Sequence, residues 1–121
     1  MQALIVDDSS TMRKVLKSIL AGAGFEVIEA KCGADALDCL KQQCADLALL
    51  DWNMPEMSGI ELLGLVRSDH AYDGMKIMMV TTESDQVEVE RALDAGADEY
   101  VMKPFTRDSI LDKLQIIGLP Q

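Results

Sequence analysis

Positive charge is scarce in this chain. It carries 11 Lys plus Arg against 21 Asp plus Glu, a formal charge of -10. A surface with that balance repels phosphate backbones and anionic lipid, so no direct contact with nucleic acid or membrane is expected. No apolar run approaches the ~18 residues of a membrane span. The stretch from Met1 to Lys14 sets Asp7 and Asp8 directly after its few apolar residues, so it does not read as a secretory signal. Cysteine is sparse too: Cys32, Cys39 and Cys44 are odd in number and fit neither a C-x-x-C nor a zinc spacing. They read as reduced, mostly packed thiols of a cytoplasmic protein, with helix packing preferred over a Cys39–Cys44 redox pair. There is no low-complexity tract, no Pro- or Ser-rich linker and no repeat. With 121 residues, 49% of them apolar, one domain with one real core is expected over residues 1–121.

What is present is an alternation. Short apolar runs at Ala3–Val6, Phe25–Ile28, Leu47–Leu50, Lys76–Val80 and Tyr100–Met102 have the length of strands buried on both faces. Between them lie helical periods. Met12, Val15, Leu16, Ile19, Leu20 and Ala23 form the first stripe, closed by Gly24. Ala34, Leu37, Leu40 and Cys44 form a weaker second. Ser58 and Glu61 have capping-box spacing ahead of Ile60, Leu63 and Val66. Ser84 can cap a fourth helix carrying Val87 and Leu93, and Thr106 a fifth carrying Ile110, Leu114 and Ile117. Five strand–helix repeats specify an α/β fold: a parallel sheet, right-handed crossovers, and helices on both faces.

Such sheets bind ligands at the carboxyl ends of their strands. Asp7 and Asp8 follow the first run, Glu29 the second, Asp51 the third, Thr81, Thr82 and Glu83 the fourth, and Lys103 the fifth. Almost every candidate for chemistry therefore falls on one rim. If the first and third strands are neighbours, Asp7, Asp8 and Asp51 converge, and three close carboxylates need raised pKa values or a cation. Oxygen donors suit a hard divalent ion, magnesium above others. Each aspartate alone would more simply be a solvated helix cap. Lys103 can neutralise a carboxylate or hold a phosphoryl oxygen, and the Thr81 hydroxyl can donate to the same oxygen. The eight methionines, Met78 and Met79 among them, read as core, and His70 as an exposed surface residue.

These residues resemble the response-regulator receiver domains along essentially the whole chain. The resemblance is carried by Val6-Asp7-Asp8-Ser9-Ser10, by Leu50-Asp51-Trp52-Asn53-Met54-Pro55 with Gly59 four residues on, by Val80-Thr81, and by Lys103-Pro104-Phe105. Within the family the chain is most similar to the stand-alone chemotaxis regulators. The resemblance implies a three-layer (βα)5 sandwich of the flavodoxin-like type with strand order 2-1-3-4-5, and a single receiver domain without an output domain. It implies Asp51 as the phosphorylated nucleophile, taking its phosphoryl group from a phosphohistidine on a sensor histidine kinase. It assigns magnesium to Asp8, Asp51 and the Asn53 carbonyl, with Asp7 acting partly through water. Lys103 and Thr81 would hold the phosphoryl oxygens, and Thr81 and Tyr100 would form a switch acting on the face of the fourth helix, fifth strand and fifth helix. A downstream effector such as a flagellar motor switch, and a phosphatase, are implied as partners of a monomer that is not a classical enzyme but promotes its own phosphorylation and dephosphorylation. The Lys103–Pro104 bond is expected to be cis by the same resemblance. Asn53 and Glu83 stand where the family tunes phosphate lifetime, and Thr82 stands where many receivers have a smaller residue, which would restrict the Tyr100 swing. Trp52 is expected to be partly exposed and close to the metal.

Other readings remain at this level. The domain could serve a non-chemotaxis phosphorelay or come from a longer regulator. An aspartyl-nucleophile phosphohydrolase would want a second Asp where Asn53 stands. A flavodoxin-like cofactor binder would need a hydroxyl- and glycine-rich loop where Asp7 and Asp8 repel phosphate.

Overall fold

The computed structural model describes residues 1–82 and 86–119. Strands β1 (Gln2–Val6), β2 (Glu26–Ala30), β3 (Leu47–Asp51), β4 (Lys76–Thr81) and β5 (Glu99–Met102) alternate with helices α1 (Ser10–Gly22), α2 (Gly33–Gln42), α3 (Gly59–Arg67), α4 (Gln86–Asp94) and α5 (Arg107–Ile116). All strand pairs are parallel, in the order β2-β1-β3-β4-β5, so β1 and β3 are neighbours as the acidic rim required.

Alternation along the strands divides the core in two. Leu4, Val6, Ala48, Leu50, Ile77 and Met79 point to one layer, where they meet α2, α3 and α4 through Ala36, Leu40, Leu62, Leu63, Val66 and Ala92. Ala3, Ile5, Leu47, Leu49, Met78 and Val80 point to the other, against Leu16, Ile19 and Leu20 of α1 and Ile110 and Leu114 of α5. Period-2 burial on both faces is what a covered parallel sheet demands.

The helix ends follow local chemistry. Ser9 caps α1 by accepting from the Met12 amide, Ser58 caps α3 by accepting from Glu61, and Thr106 and Ser109 form a reciprocal capping box on α5. Gly24 has φ +96°, the left-handed geometry that lets the chain leave α1 and enter β2. The proposed Ser84 cap lies outside the described residues, as do Glu83, Pro120 and Gln121.

Several expected positions are corrected. Phe25 is buried but precedes β2, and Glu29 lies within that strand instead of following it, where it pairs with Arg13 and Lys17 of α1. In the stripe of α1, Val15 is exposed. On α2 the inward residues are Gly33, Ala36 and Leu40; Ala34 faces out, and Cys44 is exposed beyond the end of the helix. On α4 the buried pair is Val89 and Ala92, while Val87, two residues before Val89 and so roughly 200° around the helix, is 69% exposed. Leu93 is exposed at 39%. His70 is exposed, and the three cysteines are free thiols.

Candidate functional site

Strand register brings the chemistry together. Val6 pairs with Leu50, and Asp51 with Val80, so the residue after β1 and the last residue of β3 emerge side by side. Asp7 is 1% exposed and Asp51 5%, whereas Asp8 is exposed. One carboxylate oxygen from each of Asp7, Asp8 and Asp51 lies within 4.8 Å of the others. Lys103 reaches across from the end of β5, its Nζ 3.1 Å from Asp51 Oδ1 and 3.6 Å from Asp7 Oδ2. The first contact is a hydrogen bond; the second is Coulombic only. The Lys103–Pro104 peptide is cis, and the Lys103 amide donates to the Thr81 carbonyl at 2.7 Å, so the lysine is tied to the end of β4.

Burial pushes the Asp51 carboxyl above the usual carboxylate range; the Lys103 hydrogen bond and charge pull it back, and the charges of Asp7 and Asp8 push it up again. The result is a buried acid poised among like charges. On Asp7, Oδ1 accepts from the Ser9 amide at 2.9 Å, but Oδ2 is buried with no hydrogen-bond donor among the described residues. That oxygen has only the Lys103 charge at 3.6 Å to face, which leaves a buried carboxylate able to take a second cation. The oxygen-only donor set fits magnesium, which is content with one or two carboxylates and keeps its other positions for water and phosphate.

The segment after Asp51 is shaped around it. The Trp52 amide continues the ladder to the Val80 carbonyl at 3.1 Å, and the Gly59 amide returns to the Trp52 carbonyl at 2.9 Å. A Cβ on Gly59 would overlap the Asp51 carbonyl oxygen, so glycine is required where α3 starts against β3. Trp52 itself contradicts expectation: it is 9% exposed and belongs to the core beside Met54. The ladder bond holds its backbone in strand register, which turns the indole inward. Asn53 is exposed in this loop, and Glu56 adopts φ +68°.

Thr81 is buried at the end of β4, and Thr82 beyond it is exposed. Tyr100 stands on β5, half-buried, lining a groove with Gln86, Val89, Glu90, Leu93 and Met102. The Lys113 ammonium lies 4.8 Å from the Tyr100 ring centroid and 3.3 Å from Glu99 Oε1. Thus Asp7, Asp8, Asp51 and Lys103 meet at one point, whereas Tyr100 belongs to the neighbouring outer face. Sequence reasoning missed Arg13. Its guanidinium donates to the Asp7 carbonyl at 2.7 Å and sits 3.4 Å from Glu29 Oε1. The signal was faint: one basic residue, six after Asp7, on a helix with an obvious apolar stripe.

The chain is similar to known proteins in both sequence and fold. The response regulator receiver domain family matches residues 3–115. A chemotaxis protein CheY homolog of Campylobacter jejuni is 46% identical over 117 residues, covering 95% of this chain and 90% of that protein. Chemotaxis protein CheY1 of Helicobacter pylori is 44% identical over 119 residues, 97% and 96% of the two chains. The structure of Vibrio cholerae chemotaxis protein CheY4 superposes with a TM-score of 0.90 at 34% identity, over 96% and 97% of the two chains. On family match, relatives and fold together, the chain belongs to the response regulator receiver domains, in their CheY-like branch.

Proposed function

We propose that this chain is the phosphorylated switch of a two-component pathway, with Asp51 as the acceptor. The observation that carries the reading is the buried Asp51 carboxylate held 3.1 Å from Lys103 Nζ inside a cluster of three acids. One Asp51 oxygen forms a new P–O bond as the P–N bond of a phosphohistidine on a sensor histidine kinase breaks. The bonding pair stays on the imidazole nitrogen, which takes up a proton. Asp8, Asp51 and the Asn53 carbonyl, with Asp7 partly through water, would hold magnesium, which would supply positive charge to offset that of the phosphoryl group. Lys103 holds a phosphoryl oxygen as a point charge, and the Thr81 hydroxyl donates to another. The protein is thus a signalling protein whose own residues promote transfer onto and hydrolysis from Asp51.

Output follows from a population shift. A phosphoryl group that draws Thr81 toward Asp51 favours inward Tyr100, which alters the groove along α4 and the face shared with β5 and α5. Thr82, exposed beyond Thr81, is the β-branched neighbour that would restrict this movement. Partners are a histidine kinase, an effector that reads this face, and a phosphatase. Chemotaxis is the pathway named for the Campylobacter, Helicobacter and Vibrio relatives; for this chain the proposed effector is a flagellar motor switch. Among the described residues no helix is long and apolar enough to cross a membrane. In this reading residues 1–121 form one receiver domain that acts as a cytoplasmic monomer.

Trp52, the chain's single tryptophan, follows Asp51 directly and is the intrinsic fluorophore of the acceptor loop. Magnesium should change its emission, beryllofluoride should change it again, and Asp51→Asn should lose the second response. A parent chain silent to both additions, with no phosphoryl adduct by mass, overturns the proposal.

A further inference from the structure

We infer that Arg13 is a positioning residue for the metal site, holding the Asp7–Asp8 peptide in place from α1. The inference rests on the magnesium reading above and extends it to a residue outside the ligand set. Arg13 sits in the second turn of α1 with its side chain 19% exposed, mostly withdrawn from water. Its guanidinium makes two contacts in different directions: Nη1 donates to the Asp7 carbonyl at 2.7 Å, and Nε faces Glu29 Oε1 on β2 at 3.4 Å. Glu29 is held from its other oxygen by Lys17 Nζ at 3.6 Å. The planar fork therefore braces α1, β2 and the β1–α1 turn against one another, at the peptide that joins two of the three clustered acids.

That turn needs bracing. Asp7, Asp8 and Asp51 repel one another, and one buried Asp7 oxygen has no hydrogen-bond donor among the described residues, only the Lys103 charge at 3.6 Å. Without a tether the least buried member, Asp8, relaxes outward, and magnesium must then regather it. The Asp7 amide is tied to the Ala30 carbonyl at 3.1 Å, and the Asp7 carbonyl is tied to Arg13 at the opposite side of the residue. A cation beside that carbonyl also opposes the repulsion among the carboxylates. Groups that orient metal ligands without touching the metal commonly contribute at least tenfold to affinity.

The test is magnesium titration by calorimetry on the parent, Arg13→Met and Arg13→Lys, with thermal melts in EDTA alongside. Arg13→Met keeps the apolar stem and removes the donors and charge. It should weaken magnesium about tenfold, while the phosphorylation rate from acetyl phosphate at saturating metal stays within about twofold of the parent. Arg13→Lys, which keeps a charge and one donor, should recover most of the affinity. Equal magnesium affinity in the parent and a folded Arg13→Met overturns the inference. So does an affinity loss that Arg13→Lys does not recover at all while both variants melt at lower temperature, since that marks general loosening. If Arg13→Met does not fold, Arg13→Lys decides: a measurable loss, smaller than tenfold and with an unchanged melt, supports the role, and no loss overturns it. A parent that binds no magnesium overturns the metal reading and this inference with it.

Discussion

At the residue scale, one carboxyl group sits where burial favours its neutral form. Asp51 has its pKa raised by burial and by the charges of Asp7 and Asp8, with Lys103 working against both. A group whose folded pKa exceeds its unfolded value contributes stability at pH below the unfolded value and loses that contribution as pH rises through the folded value. Metal-free parent should therefore fall behind Asp51→Asn as pH moves from acid to neutral. In EDTA the variant should melt about 2–5 °C higher at neutral pH, with the gap closing in acid. A gap that widens in acid contradicts the assigned environment. Gly59 offers a second test. A methyl group there meets the Asp51 carbonyl oxygen, so Gly59→Ala should cost about 1–3 kcal/mol in urea unfolding and slow phosphorylation by displacing the acceptor. Much of this was legible in the sequence, because strand-end carboxylates and a lysine before proline are signals written in residue type. Arg13 was not legible, because its role depends on a carbonyl brought near by folding.

At the scale of elements, strands were easier to read than the outward faces of helices. Strands buried on both sides show as uninterrupted apolar runs, and all five stand within one or two residues of where the runs predicted them. Strand order was different: alternation alone fixes a parallel sheet but not its sequence of neighbours, which came from the family resemblance. Val87 and Leu93 misled because α4 carries apolar residues on its outer side, leaving only Val89 and Ala92 for the core. Trp52 misled for the opposite reason: a loop position after an acceptor suggests exposure, but a ladder hydrogen bond turned the ring inward. One element-scale bond set deserves a test by deletion. Arg67, the last residue of α3, donates to the carbonyls of Gly96, Tyr72 and Met75 and to Asp98 Oδ2, joining the ends of α3, α4 and β5 and the turn before β4. Arg67→Ala should lower unfolding free energy by about 3 kcal/mol. Loss below about 0.5 kcal/mol would show the network to be inert.

At the scale of the molecule, the fold sets two distinct regions on one sheet. The rim at the carboxyl ends of β1, β3, β4 and β5 holds the charged groups, while the outer face of α4, β5 and α5 carries the groove containing Tyr100. Rim and face share β4 and β5, and the Lys103 amide bonded to the Thr81 carbonyl is a direct link between those two strand ends. A single added phosphoryl group can bias such a structure only if it binds one arrangement better than the other. The chain's acidity fits this role. A strongly negative surface discourages nonspecific contact with nucleic acid and leaves binding to proteins that present matched charge.

The most direct test of the account is intact-mass analysis after incubation with acetyl phosphate and magnesium, for the parent and for Asp51→Asn. With Asp51 as acceptor, the parent should carry a single phosphoryl adduct, dependent on magnesium and absent from the variant. No adduct on the parent, or an equal adduct on Asp51→Asn, would contradict the assignment of Asp51 as the acceptor.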